Sequence, residues 1–170
     1  MLISCKQTPE EYSSIDPNNW EKRQSGISAS DSLIKGSSYL SVYSHIYSQT
    51  EHRQHDLTAT VSLRNMNSRD SIYLSKADYY NTHGELIRSY FPKPIFIAPL
   101  ETVEIVIDED DAHGGSGANF IFQWHIPENS EEPLFEAVMI STSGQQGISF
   151  KTEGKKIQLW SQNSLPKSCF

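Results

Sequence analysis

Long apolar runs are missing from this 170-residue chain. Its wholly apolar stretches are only a few residues long, against the roughly 20 that a membrane-spanning helix needs. Basic runs are missing too. Fourteen Lys and Arg stand against 21 Asp and Glu, a formal net charge of −7, which argues against nucleic acid as a partner, because phosphate backbones are gripped by clustered cations. Cysteine is scarce. Cys5 and Cys169 lie near opposite ends of the chain, so there is no disulfide framework. Apolar content is 36%, below that of an average compact domain, and part of the chain is therefore expected to lie outside the core. A domain of about 130–150 residues still buries roughly two thirds of its unfolded surface.

What is present divides the chain into three. Residues 1–38 are rich in Ser, Asn, Asp, Glu and Gln and read as a flexible tether, with Tyr12, Ile15, Trp20 and Ile27 as apolar exceptions that could dock locally. Leu2-Ile3-Ser4-Cys5 matches the four-residue pattern at which lipoprotein signal peptides are cut, so Cys5 is a candidate lipidation site. Only four residues precede it, too few for a charged n-region and an apolar h-region. The expectation is a membrane-tethered protein of the periplasm or outer surface if Met1 lies inside a longer leader, and a cytoplasmic one if Met1 is the true start. Residues 39–160 read as the folded domain, and 161–170 as a frayed tail.

Within the domain, period-two alternation dominates. Leu57, Ala59, Val61 and Leu63 point one way and Thr58, Thr60, Ser62 and Arg64 the other, the pattern of a half-buried strand. Further strands are read at Leu40–Tyr47, Ser71–Tyr80, Glu85–Phe91, Ile95–Ile97, Glu101–Ile107, Phe120–Ile126, Leu134–Ser141, Ile148–Phe150 and Gly154–Leu159. Prolines bracket Ile95–Ile97 and assign it to an edge or a crossover. No stretch predicts a helix. The fold class is an all-β, immunoglobulin-like antiparallel sandwich of about 7–9 strands, with a barrel as the alternative.

The chemistry-bearing candidate is Asp108–Asn119, DEDDAHGGSGAN. Asp108 and Asp110 occupy the first and third places of an EF-hand spacing, but Ala112 takes the fifth and Asn119 the twelfth. The glycines lack the lysine and helix of a P-loop, and the final glycine and helix of a nucleophile elbow. His45 and His113, with Asp108 and Asp110, make the alternative metal set, for calcium or for copper or zinc. His125 alternates away from Trp124 and is expected to face solvent. The second unusual segment is Ser141–Phe150, in which two glycines flank Gln145 and Gln146, uncharged groups able to orient a ligand. No nucleophile–base pattern converges, so the expected function is non-enzymatic. It is a binding or scaffold module with no cofactor, recognising a protein partner in the cell envelope through Asp110, His113, Ser116, Asn119, Gln145 and Gln146. The alternative is a periplasmic metal-binding protein.

Three stretches carry a resemblance. They are Tyr43-Ser44-His45-Ile46-Tyr47, the Asp110–Trp124 region containing GGSGANFIFQW, and Glu136–Phe150, EAVMISTSGQQGISF. Across roughly Leu40 to Ile157 the domain resembles an uncharacterised bacterial family, domain of unknown function 3124. That resemblance implies an exported or lipid-anchored protein and supplies no activity and no catalytic residues.

Overall fold

The structure, a computed structural model, describes residues 18–27, 32–142 and 147–158. It is an antiparallel β-sandwich, and neither sheet closes into a barrel. A short helix, α1 (Asn18–Lys22), precedes β1 (Leu33–Val42), β2 (His45–Ser48), β3 (Thr50–Asp56), β4 (Thr58–Arg64), β5 (Ile72–Tyr80) and β6 (Leu86–Ser89). Then come β7 (Ile95–Ile97), β8 (Thr102–Ile107), a 3-10 segment (Ala112–Gly117), β9 (Ala118–Pro127), β10 (Leu134–Ser141), β11 (Ile148–Glu153) and β12 (Lys155–Ile157). One sheet has the order β12-β1-β9-β5-β6, with β7 also pairing β5; the other is β11-β10-β4-β8. A separate hairpin, β2-β3, rises where the chain crosses between them. The described residues hold twelve strands, more than expected, because the stretch read as one strand at Leu40–Tyr47 breaks at Tyr43-Ser44 and because β3 (Thr50–Asp56) falls on a stretch not read as a strand.

The alternating faces meet in one core. Leu57, Ala59, Val61 and Leu63 are fully buried, as are Ile105 and Ile107 of β8 and Phe120 and Phe122 of β9. Phe122 stacks on Phe135 of the opposite sheet at 4.1 Å between centroids, and Phe120 on Tyr79 at 4.8 Å. Offset ring pairs of this kind add to the burial of each ring. Ile95–Ile97 pairs with the first three residues of β5 and lies at the edge of the sheet, where its prolines place it.

The first strand begins at Leu33, inside the stretch read as tether. Its Gly36 and Ser38 are small because of what they oppose. Gly36 is the cross-strand partner of Trp124, and a Cβ on it would lie 2.1 Å from the indole Cζ2. Ser38, one step along the same face, receives the indole N–H at 3.0 Å. Polarity here marks room for a large ring, not disorder. The tail is attached earlier still. α1 buries Trp20 against Phe91, Gln24 bridges to Ile95, and Arg23 makes a two-pronged ion pair with Glu101 at 2.9 and 2.7 Å.

The Arg23 bond and burial set the acid behaviour of this contact. The hydrogen bonds from Arg23 hold the Glu101 carboxyl below the usual glutamate range against the opposing pull of desolvation. A carboxylate with a depressed folded pKa binds fewer protons than its unfolded counterpart, so its contribution is present above the ordinary value and lost as pH falls through the folded one. The Tm of the wild-type chain should therefore fall more steeply than that of Arg23→Met between about pH 5 and pH 3. Parallel Tm-against-pH curves for the two would show that the pair contributes nothing.

The sandwich has two distinct ends. At one, β1 starts, β9 finishes, α1 docks, and Asn65 donates its amide to the carbonyls of Asp70, Ile97 and Ala98. At the other, β1 gives way to Tyr43-Ser44, β5 to the turn at 81–85, β8 to the 108–117 loop, and β10 to the segment that leads into β11.

Candidate functional site

The 108–119 loop is pinned from three directions by residues far away in sequence. Asp111 caps the 3-10 segment, accepting the His113 backbone N–H at 3.3 Å and lying 2.9 Å from His113 Nδ1 through the same oxygen. Its other oxygen accepts from Arg88 Nη2 at 3.1 Å. Arg88 in turn donates to the Tyr90 hydroxyl and lies over that ring. From the β5-β6 turn, Thr82 N–H and its hydroxyl both donate to the Gly114 carbonyl, each at 3.0 Å, while Thr82 Oγ1 accepts the Gly117 N–H at 2.9 Å. From the β1-β2 corner, Ser44 N–H donates to the Gly115 carbonyl at 3.0 Å. This bond explains why the expected long strand breaks at Tyr43-Ser44: the backbone there turns to serve the loop.

Small residues let the loop come this close. A Cβ on Gly114 would stand 2.0 Å from the Tyr79 hydroxyl and 2.6 Å from Ser44 Oγ. Gly115 sits at φ +73, a left-handed conformation that side chains disfavour. Beneath them the Ser44 and Tyr79 hydroxyls share a 3.2 Å hydrogen bond. Burial pushes the Tyr79 phenol up to about 12, so this hydroxyl keeps its proton throughout the physiological range. Burial likewise raises Tyr90.

The candidate residues fall into three groups. Asp108, Asp110 and His113 are exposed on the outside of the loop, and Ser116 is half-buried beside them. Asn119 belongs to β9, paired with Ser41 and Tyr80. Gln145, Gln146 and Cys5 lie outside the described residues. The residues on either side of the glutamines are informative: Ser141 pairs with Ile148 at the loop-bearing end, and Phe150 packs edge-on against Tyr43, next to the Ser44 that holds Gly115. The two segments singled out by composition thus depart from the same end of the sandwich. His45 stands on β2, in edge contact with Tyr47 and paired with Asp56. Among the described residues no three His, Cys, Asp or Glu gather as a metal set, so Asp108, Asp110, His45 and His113 are not brought together as one. His125 does alternate to the outer face, but it is not free in solvent: it is half-buried, with Nε2 3.1 Å from Ser75 Oγ. The residues that composition did not reveal are Ser44, Thr82, Arg88 and Asp111, the supports of the loop. Only Asp111 lies inside the stretch that drew attention.

Comparison with known proteins adds the following. The family model described as "Protein of unknown function (DUF3124)" matches residues 35–157, which run from the early part of β1 to the end of β12. No curated protein matches. The chain is similar to a solved structure titled "Crystal Structure of Thermotoga maritima 1070", with a TM-score of 0.45 and 7% identity over 71% of this chain and 92% of that one.

Proposed function

The chain belongs to this family of unknown function, with the matched stretch spanning the sandwich, and we propose that it is a non-enzymatic binding module of the cell envelope. In this reading a lipid on Cys5 tethers it to a membrane, and the end bearing the 108–117 loop recognises a protein partner. The observation that carries the reading is the clamp just described. Hydrogen bonds from Thr82, Ser44 and Arg88 hold the inner side of the loop, while Asp110 and His113 stand exposed on its outer side. A surface ordered before binding loses little entropy on binding, which is what affinity from a small patch requires. Gln145 and Gln146 are assigned to the same recognition surface in this reading because Ser141 and Ile148, which flank their segment, pair at the loop-bearing end.

Photo-crosslinking in the native cell from exposed Ala112 tests this. A discrete protein adduct is expected, and alanine at Asp110, His113, Gln145 and Gln146 together should reduce it at least tenfold, the scale of hot-spot loss, with the far-ultraviolet circular dichroism spectrum of the folded sandwich retained. Cys5→Ser should move the protein from the membrane to the soluble fraction. An adduct of equal yield from the quadruple variant would overturn the assignment of the surface, and unchanged membrane association would overturn that of the anchor.

A further inference from the structure

The outer face of the four-stranded sheet carries an apolar patch that the core does not use. Val138 and Ile140 stand two residues apart on β10, and so side by side on this face; each is 42% exposed. Strand pairing sets Thr60 beside Val138 and Thr58 beside Ile140, and places Val106 of β8 beside Thr60. These three are half-buried. All five side chains are β-branched, which restricts χ1. The patch is therefore ordered before anything docks, and covering it costs little rotamer freedom.

The patch is narrow and has an acidic rim. It is three strands wide, about 10 Å, and two rows deep, about 7 Å. In the next row Glu136 lies beside Ser62, and Ser62 beside Glu104. Glu104 stands two residues before Val106 and Asp108 two residues after it, and both acids are exposed. The bases of this face, Arg64 and Lys151, are both engaged by Glu136, each at 3.0 Å. Glu104 and Asp108 make no ion pair among the described residues. The shape decides between occupants. A second sheet would extend over several rows and bury Glu104 and Glu136 with the patch. A helix about 10 Å across, laid over the strands, covers the two apolar rows and leaves its flanks above the acids.

We propose that this face receives an amphipathic helix of the protein partner. Its apolar stripe rests on Val138, Ile140 and Val106, and Lys or Arg on its flanks meets Glu104 and Asp108. The inference rests on the reading that the loop-bearing end recognises a protein, because Asp108 opens the clamped loop and the patch runs into it through Ile140 and Thr58. It adds the kind of segment the partner presents.

Titration of the full chain with a helical amphipathic peptide of leucine and lysine, and with its leucine–glutamate counterpart, tests this. The lysine peptide should bind at least about tenfold more tightly, the scale of hot-spot differences, with amide shift changes centred on 58–60, 104–108 and 138–140. Glu104→Gln with Asp108→Asn should remove the preference. Val138→Thr with Ile140→Thr keeps the β-branched shape at two exposed positions and should weaken the lysine peptide by about tenfold or more. Undiminished binding by the threonine variant would mean general attraction to an acidic chain and overturns the proposal. So does a dimer in sedimentation that the threonine variant abolishes, which would give the face to a second copy. Crosslinking separates this site from the loop. An Ala112 adduct of unchanged yield from the threonine variant overturns the helix site and leaves the loop surface standing. Peptide binding as expected, with no Ala112 adduct in the cell, supports the helix site and overturns the loop as the recognition surface.

Discussion

Trp124→Ala should destabilise the protein by about 3–5 kcal/mol, the range for removing a large buried aromatic. In a domain of this size that corresponds to a fall in Tm on the order of 10–20 °C. Three features place it at the upper end. The indole is 1% exposed. Its N–H is the partner of buried Ser38, whose hydroxyl loses that donor when the ring is gone. And its cavity is walled by Gly36, which has no side chain to collapse into the space. Lys156, whose ammonium stands 5.4 Å from the ring centroid and pairs with Glu132, loses its aromatic surface as well. Thermal unfolding followed by far-ultraviolet circular dichroism measures the effect. A shift of only a degree or two would mean that the packing between β1 and β9 is not organised around this ring.

Gly114→Ala should cost roughly 1–3 kcal/mol, the usual penalty for overfilling a close-packed site. The backbone conformation is not the cause; the added methyl meets the Tyr79 hydroxyl at 2.0 Å, Ser44 Oγ at 2.6 Å and Ala118 Cβ at 2.9 Å. The tightest of these belongs to a single oxygen, and this makes the prediction specific. Tyr79→Phe alone should cost about 1 kcal/mol through the lost hydrogen bond to Ser44. The double variant should then be less destabilised than the sum of the singles by at least about 0.5 kcal/mol. Strict additivity, measured by denaturant unfolding, would show that the methyl acts elsewhere. Because the same glycine carries the carbonyl held by Thr82, the single variant should also weaken partner crosslinking from Ala112, and the double variant should recover part of it.

The core was readable because it repeats. Alternation at Leu57–Leu63, Val103–Ile107 and Phe120–Ile126 places side chains directly, since every second residue of a strand faces the same way. What stayed hidden lacked a period. Leu33–Ser38 looks like a tail in composition because its Gly and Ser accommodate an indole 86 residues away in sequence. α1 is five residues long, too short to show helical spacing, and is held by Trp20 and Arg23 through contacts no local pattern announces. For the candidate loop, the exposed half was legible as acids, a histidine and glycines. The supporting half was not. A hydroxyl at Thr82, an amide at Ser44 and a guanidinium at Arg88 are ordinary residues of ordinary segments. Their role exists only once the β1-β2 corner and the β5-β6 turn are brought beside the loop.

The two ends of the sandwich differ in a way that gives the molecule a direction. The N-terminal segment seats α1 at the end where β1 starts, and the clamped loop sits at the end where β1 finishes. Ten residues of β1 separate them, a rise of about 33 Å. Under the lipid-anchored reading proposed above, the chain would enter the sandwich at the end opposite the loop, so anchoring would leave the loop-bearing end unobstructed.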